Sequence, residues 1–325
     1  AGSIMTAEFV DLKKYMSVRE SIARIRRIGE NKETIYVCYV TSGDRKLEGV
    51  VTVKKLLLSN DDDVIEDIMD TNVIFAHTTD DQEDVSEKIS DYDLLAIPVV
   101  DKESRLVGIV TVDDIIDVMQ EEVTEDIEKM AAITPSDKPY LKQSVIYIWK
   151  NRIPWLLLLM ISATFTGMII SSFESALATQ VVLVGFIPML MDTGGNSGSQ
   201  TSATIIRSIS LGDIEFSDLF SILWKELRVA VLCGLSLAAV NFVKVMVVDR
   251  MLLGNTDISF TVAAVVCLTL ALTVLAAKLM GCILPMLAEK IGFDPAVMAS
   301  PFITTIVDAI SLLVYFALAT SILHI

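Results

Sequence analysis

The amino-acid sequence predicts two parts of different kinds: an α/β module built from a tandem repeat, followed by an all-α polytopic membrane domain of five transmembrane helices. Charge separates the parts, because residues 1–144 hold 31 Asp and Glu against 17 Lys and Arg, whereas the rest of the chain holds 11 against 9. Apolar residues make up 53% of the chain. We expect the module at 1–118, an acidic, plug-like connecting helix at 119–150 and the membrane domain at 151–325.

Composition excludes several functional classes. The net charge of −16 leaves no basic face for a phosphate backbone, so nucleic acid is not expected as a partner. The four cysteines have no CxxC spacing, and two histidines leave little scope for histidine-based catalysis. We therefore expect any bound metal to be a hard cation held by oxygen atoms.

The first part contains the same pattern twice. Two strand-like runs and a helix-like run occupy residues 35–40, 47–53 and 54–58, and the order returns at 95–100, 106–112 and 113–118. Gly49–Lys55 aligns with Gly108–Asp114, and Ile68-Met69 repeats Ile4-Met5. Two units of about 60 residues are expected to pack into one pseudo-symmetric α/β module.

This repeat resembles a tandem pair of CBS domains over residues 4 to 118. The resemblance implies a regulatory module that binds adenine nucleotides or metal ions, with Thr111 and Asp114 at the positions that contact ribose. Lys55 replaces the aspartate in the first repeat, so one site, for ATP, is expected rather than two. A Thr-x-x-Asp helix cap without a ligand is the alternative.

The connecting segment is predicted to be an acidic helix. Its carboxylates form one stripe at Asp117, Glu121, Glu125 and Glu128, with Glu122 and Asp126 beside it. Like charges at this spacing repel, so cations would stabilise such a helix and make its position depend on divalent metal. A solvated charged face is the alternative reading.

Five apolar segments predict membrane spans. Residues 153–173 and 258–277 carry no charge, whereas 176–206, 229–248 and 295–325 contain Asp192, Lys244 and Asp308. Basic residues concentrate before the first span, at Lys138, Lys142, Lys150 and Arg152. This bias predicts a multi-pass protein of the cell membrane with a cytoplasmic module and the C-terminus outside.

The residue with the strongest functional signal is Asp308. It lies halfway along the last span, where an ionisable side chain is costly unless it faces a polar interior. The run Pro188–Gln200 is also unusual for a span, because its proline, glycines and amides allow irregular backbone along a watery path or close helix packing. Asp192 adjoins the glycines and is expected to be able to cap a broken helix.

The pattern Pro-x5-Gly-Gly-Asn-x-Gly-x-Gln at 188–200, with Asp294-Pro295-Ala296 and the Pro301 segment leading to Asp308, is similar to the signature of the MgtE family of magnesium channels and transporters. The resemblance covers essentially the whole chain. It implies a homodimer with a central pore, in which Asp308 coordinates hydrated Mg²⁺. It also implies a further acidic domain ahead of the CBS pair, so we expect the sequence to be a piece of a longer protein.

The predicted function is a Mg²⁺-selective channel or transporter that cytoplasmic Mg²⁺ closes by negative feedback. The residues assigned to the pore are Asp308, Asn196 and Gly195. The carboxylates assigned to regulatory Mg²⁺ are Asp294, Glu125, Asp126, Asp93, Asp114, Asp117, Glu122 and Glu83. The expected partners are a second copy of the chain and the lipid bilayer.

Three alternatives remain open at this point. A coupled carrier, such as one linked to Na⁺, or selectivity for Mn²⁺, Co²⁺ or Ca²⁺, fits the same residues. Asp192 and Asp308 are the pair that an intramembrane aspartyl protease would use, although neither has the sequence context typical of those enzymes. A CBS sensor that transports nothing is the third.

Overall fold

The computed structural model describes residues 1–136 and 138–324. The chain divides into two compact units, Ala1–Val123 and Thr124–Ile325.

The first unit contains two three-stranded sheets with helices. Its elements are β1 (Val10–Leu12), α1 (Val18–Ile28), β2 (Val37–Thr41), β3 (Leu47–Thr52), α2 (Val53–Leu58), α3 (Ile65–Ile68), β4 (Ala76–His77), α4 (Gln82–Asp91), β5 (Ala96–Val100), β6 (Leu106–Thr111) and the start of α5 (Val112–Met130). The sheets have the orders β1-β2-β3 and β4-β5-β6. In each sheet the first pair of strands is parallel and the second antiparallel.

The two sheets share one register, as the predicted repeat requires. Val37 lies opposite Thr52 in the first sheet, and Ala96 lies opposite Thr111 in the second. Each repeat also has a strand and a helix ahead of its hairpin, which the sequence reading missed. Strands β1 and β4 are too short to show a hydrophobic period.

Each sheet contains a glycine that leaves room for the segment leading into the other repeat. A Cβ on Gly49 would lie 2.9 Å from the backbone oxygen of Asp70, and a Cβ on Gly108 would lie 2.8 Å from that of Thr6. Isolated bridges join Val50 to Asp70 and Thr6 to Ile109 at these crossings. The repeats therefore exchange segments, which explains why the sequence repeats Ile-Met ahead of both.

The connecting helix differs from the prediction in its bounds. We expected it at 119–150, but α5 runs without interruption from Val112 to Met130, and the next α-helix begins at Val145. The sequence from Val112 contains no glycine or proline before Pro135, so nothing breaks α5.

The second unit is helical. Its helices are α6 (Val145–Ser172), α7 (Glu174–Thr179), α8 (Ile187–Ser210), α9 (Leu219–Lys244), α10 (Phe260–Lys290) and α11 (Ser300–Leu323). By length and apolar composition, four segments of the described chain are able to cross a membrane: Val145–Ser172, Phe216–Leu252, Phe260–Lys290 and Pro295–Leu323.

The second predicted span corresponds to α8, which is long enough to cross but is less apolar than the other four. Its 24 residues extend about 36 Å at the usual helical rise. The predicted start at 176 was wrong, because α7 and a 3₁₀ segment, Val181–Phe186, precede the helix. The irregular backbone considered for Pro188–Gln200 is not found either. Pro188 lies in the first turn of a continuous helix, where proline is tolerated.

Helices α8, α10 and α11 form the core of the second unit. Tyr315 and Phe316 of α11 are fully buried, and the Tyr315 hydroxyl donates a hydrogen bond to the backbone oxygen of Leu183 at 2.9 Å. The Phe316 ring stacks on Phe173 with centroids 4.6 Å apart. Helix α6, by contrast, has no buried residue in a single chain.

Candidate cation path and its regulatory contacts

One face of α8 presents a polar stripe. Asp192, Asn196, Gln200 and Thr204 recur every four residues and are all exposed. In a helix of membrane-spanning length, exposed polar side chains of this kind face a watery interior rather than lipid. The predicted pore residue Asn196 belongs to this stripe.

The opposite side of α8 packs closely on its neighbours through glycine. A Cβ on Gly194 would lie 2.6 Å from Thr273 Cγ2, and a Cβ on Gly198 would lie 2.7 Å from Ile303 Cγ2. Gly195, predicted for the pore, also lies on this buried side, where a Cβ would come within 2.9 Å of Thr304 Cγ2. The glycines therefore bring α8 against α10 and α11, and the amide and carboxylate side chains are left on the open face.

Asp308 lies on α11 close to this arrangement. Its neighbour Val307 is buried and packs where Gly194 lacks a side chain. Asp308 itself is half-buried and is near enough to Asp192 for the two charges to repel. It has no hydrogen bond or ion pair with the part of the chain that the structure describes. Two carboxylates without a protein cation, beside amide oxygens, can hold a hydrated divalent cation.

The last turns of α5 contact the loop before α11. Lys129 Nζ lies 2.5 Å from Asp294 Oδ2 and also pairs with the Glu125 carboxylate one turn earlier. Asp294 accepts a further hydrogen bond from the Ala296 backbone amide, so it caps the 3₁₀ turn Pro295–Met298. The final helix starts at residue 300, five residues after the expected start of the last span at 295.

Asp126 lies beside this contact. The Ser210 hydroxyl at the end of α8 donates to Asp126 Oδ2 at 3.0 Å. Burial raises the pKa of Asp126 above its ordinary value, and the negative charge of Asp294 adds to that rise. Burial alone would lower the pKa of Lys129, but hydrogen bonds from its ammonium to Asp294 and Glu125 outweigh burial and raise it. The predicted residues Glu125, Asp126 and Asp294 are therefore brought together in the second unit.

The other predicted regulatory carboxylates are spread over the first unit. Glu83 lies in the first turn of α4, Asp93 is exposed in the turn after α4, and Asp117 is exposed on α5. Glu122 accepts a hydrogen bond from Gln82 Nε2 at 2.8 Å. Among the residues that the structure describes, no three His, Cys, Asp or Glu side chains are grouped to hold a metal ion.

The predicted nucleotide residues form a pair. The Thr111 hydroxyl donates to Asp114 Oδ2 at 2.9 Å, and Asp114 is exposed. In the first repeat, Thr52 Oγ1 accepts from the backbone amide of Lys55 at 3.2 Å and caps α2. The exposed carboxylate of Asp114 retains acceptor capacity for a ribose hydroxyl, which Lys55 lacks.

Two lysine contacts, Lys129 with Asp294 and Lys278 with Thr201, were not predicted. The i,i+4 spacing of Lys129 from Glu125 was a signal, because it favours an ion pair. Lys278 follows the predicted uncharged span 258–277, and the structure shows that α10 continues past it to Lys290. A lysine so far inside a long apolar helix was itself a signal of a buried polar contact.

Comparison with known proteins supports these observations. The family model MgtE, described as a divalent cation transporter, matches residues 187–318, and the CBS domain model matches residues 65–121. The magnesium transporter MgtE of Thermus thermophilus is 36% identical over 324 residues, which is 100% of this chain and 70% of that protein. The Enterococcus faecalis magnesium transporter MgtE is 38% identical over 98% of this chain and 68% of that protein.

Two solved structures match part of the chain. The soluble part of a magnesium transporter is 46% identical, with a TM-score of 0.37, over 38% of this chain and 48% of that chain. The cytosolic domain of the Mg²⁺ channel MgtE in complex with ATP is 42% identical, with a TM-score of 0.36, over 36% and 48%.

A CBS-type α/β unit and a bundle of apolar helices, one of which carries an exposed polar stripe, define the class: a membrane transport protein with a CBS module. The chain belongs to the MgtE family of divalent cation transporters. It spans about 70% of the length of the relatives that it matches.

Proposed function

We propose that this chain moves Mg²⁺ across the cell membrane through the α8–α11 bundle and that it is not an enzyme. The observation that carries the proposal is the half-buried Asp308, without a protein cation, beside the polar stripe of α8. Relatives that match the whole chain are magnesium transporters, which supports Mg²⁺ as the cation.

The proposed path suits magnesium in particular. Mg²⁺ loses water reluctantly and is held by one or two carboxylates and its remaining waters, not by a protein cage. Asp308 supplies such a carboxylate, and Asn196 and Gln200 supply amide groups that hydrogen-bond to bound water. Gly195 contributes by allowing α8 and α11 to approach.

Two copies of the chain are proposed to form the pore. The stripe from Asp192 to Thr204 is exposed in one chain, and α6 has no buried residue. A path needs walls on every side, and a twofold dimer that places two α8 stripes face to face provides them. Each pore would then contain two copies of Asp308.

The proposed topology has the module in the cytoplasm and the C-terminus outside. If α8 crosses with the four more apolar segments, five crossings put the two ends on opposite sides. The basic residues before α6, including Lys150 and Arg152, favour the cytoplasm for the module. The end of α5 and Asp294 then lie at the cytoplasmic mouth.

Feedback by internal Mg²⁺ is the proposed regulation. Residues 1–118 are the sensor in this account, 119–150 the acidic connection and 151–325 the pore. Lys129 neutralises only part of the negative charge of Glu125, Asp126 and Asp294, so their remaining repulsion favours Mg²⁺ binding. Mg²⁺ bound there favours the docked α5 by differential binding. In the module, Asp93, Asp114, Asp117, Glu122 and Glu83 are proposed to bind Mg²⁺ in the closed dimer.

Binding of ATP to the module is proposed at one site. The Thr111–Asp114 pair supports it, because the exposed carboxylate can accept hydrogen bonds from ribose hydroxyls. Titration calorimetry with ATP, with and without Mg²⁺, tests the site, and Asp114→Asn is expected to weaken the binding.

Mg²⁺ influx into proteoliposomes tests the function. Vesicles that contain the full chain and a Mg²⁺ dye are expected to take up Mg²⁺ down its gradient at a rate independent of Na⁺ and proton gradients, as a channel does. Dependence of the flux on either gradient would favour a coupled carrier. Vesicles without uptake under any gradient would contradict the proposal.

A further inference from the structure

A second charged network lies inside the membrane unit, and the proposed path does not use it. Lys278 of α10 is only 6% exposed, although lysine is rarely buried without a partner. Its Nζ donates to Thr201 Oγ1 at 3.1 Å and lies 3.8 Å from Glu226 Oε2. Thr201 donates in turn to the same Glu226 oxygen at 3.2 Å. The three side chains join α10, α8 and α9.

This network lies beside the candidate path. Ala277, the residue before Lys278, packs with Ile303 and Val307 of α11. Val307 directly precedes Asp308. Lys278 and Asp308 are therefore each adjacent in the chain to residues that touch one another.

Glu226 differs from the carboxylates of the candidate path, Asp192 and Asp308, because the ammonium of Lys278 lies beside it. Asp192 and Asp308 have no ion pair with any residue that the structure describes, whereas Glu226 has Lys278. A buried carboxylate without a cation attracts one from solution or takes up a proton. The pairing removes that attraction from Glu226 and leaves it at Asp308.

We propose that Lys278 neutralises Glu226 and thereby restricts cation binding to Asp308 and the α8 stripe. Without this ammonium, Glu226 would be a second internal carboxylate able to bind a cation. The inference rests on the proposed cation path. Conduction requires sites that bind a cation strongly enough to admit it and weakly enough to release it. An unpaired Glu226 next to the path would hold Mg²⁺ and slow its exit.

Mg²⁺ influx into proteoliposomes with the full chain, measured over a range of Mg²⁺ concentrations, tests the inference. For Lys278→Gln we expect the half-saturating Mg²⁺ concentration and the maximal flux each to fall by about threefold or more, because Mg²⁺ dwells longer at the added site. Lys278→Gln with Glu226→Gln is expected to restore both values, and Lys278→Arg to keep them. A loss of packing alone would not raise the apparent affinity.

Each outcome decides the inference. The inference is overturned if Lys278→Gln has the same half-saturating Mg²⁺ concentration and maximal flux as the parent, or as the variant that also carries Glu226→Gln. If Lys278→Gln does not assemble on gel filtration, the double variant decides: parental flux supports the neutralisation of Glu226, and loss of flux or assembly refutes it. A parent chain that takes up no Mg²⁺ contradicts the proposed function itself, whereas a conducting parent with an unchanged Lys278→Gln contradicts this inference alone.

Discussion

Lys129 Nζ lies 2.5 Å from Asp294 Oδ2 and also contacts Glu125, so an ammonium of the chain occupies the place between two carboxylates where the sequence predicted a magnesium ion. Glu125, Lys129 and Asp294 together carry one net negative charge, and Asp126 adds another nearby. The contact is therefore held by the chain's own cation, and a divalent ion entering it must displace or join that ammonium.

The first prediction concerns this competition. Lys129→Met keeps the length and apolar stem of the side chain but removes the charge that competes with Mg²⁺ for Glu125 and Asp294. We expect the variant to close at a lower internal Mg²⁺ concentration than the parent in patch recordings. Lys102→Met, at an exposed lysine of the module, is the matched control. It should leave the midpoint of closure, the internal Mg²⁺ concentration at which half the channels are closed, unchanged. A midpoint shifted to higher Mg²⁺ would mean that the ammonium itself holds the closed state.

The second prediction concerns the carboxylates of the same contact. Asp294→Ala, or Glu125→Ala together with Asp126→Ala, removes the groups that attract Mg²⁺ to the docked helix. We expect these variants to conduct normally and to lose closure at high internal Mg²⁺. Variants that shut at the parental Mg²⁺ concentration would refute a gate at this site, and Asp213→Asn provides a control for removing one acidic charge from a nearby loop.

The third prediction is a pH dependence set by Asp126. Because burial raises the pKa of this carboxyl in the folded chain, its contribution to stability is present below the ordinary pKa of 3.8 and is lost as pH rises through the raised value. Asp126→Asn should therefore melt at a higher temperature than the parent at pH 7 without divalent ions. The difference should shrink as the pH falls toward 4. Ser210 can still donate to the amide oxygen.

Thermal melting in detergent with EDTA measures this effect. Added Mg²⁺ should stabilise the parent more than Asp126→Asn, because the ion relieves a repulsion that the variant lacks. A variant that melts below the parent at every pH would show that the charged form of Asp126 stabilises the contact.

The fourth prediction concerns the exchanged segments of the module. Gly108→Ala places a Cβ 2.8 Å from the Thr6 backbone oxygen, which cannot move without breaking its bridge to Ile109. We expect destabilisation of about 1–3 kcal/mol, as for other overpacked sites, with a lower melting temperature of the first unit. Gly43→Ala, with open space around the added Cβ, should change little by comparison. Equal melting temperatures of Gly108→Ala and Gly43→Ala would contradict the close approach of Thr6 to Gly108.

Much of the fold could be read from the sequence, and the reasons are local. The hairpins of the module were predictable because short apolar runs occur in the same order twice, with Gly49 and Gly108 at matching positions. The apolar spans were predictable because length and absence of charge suffice. The short strands β1 and β4 depend on pairing with β2 and β5, which no window of sequence shows.

The candidate site was only partly predictable. Asp308 and Asn196 could be named because polar groups are rare in spans. The contacts of Lys129 with Asp294 and of Lys278 with Thr201 join residues far apart in the chain, so only the packed helices reveal them. The regular helix at Pro188–Gln200 was also unpredictable from composition, because its glycines serve packing on α10 and α11 and not a break in the backbone.

The most direct test of the proposed cation path is Mg²⁺ influx through Asp308→Asn in proteoliposomes. The amide keeps the shape of the side chain but removes its negative charge, so we expect influx to fall by about tenfold or more while the protein still assembles. Asp257→Asn, at an exposed loop position, is the matched control and should conduct like the parent. Parental influx and cation selectivity in Asp308→Asn would contradict the assignment of the path.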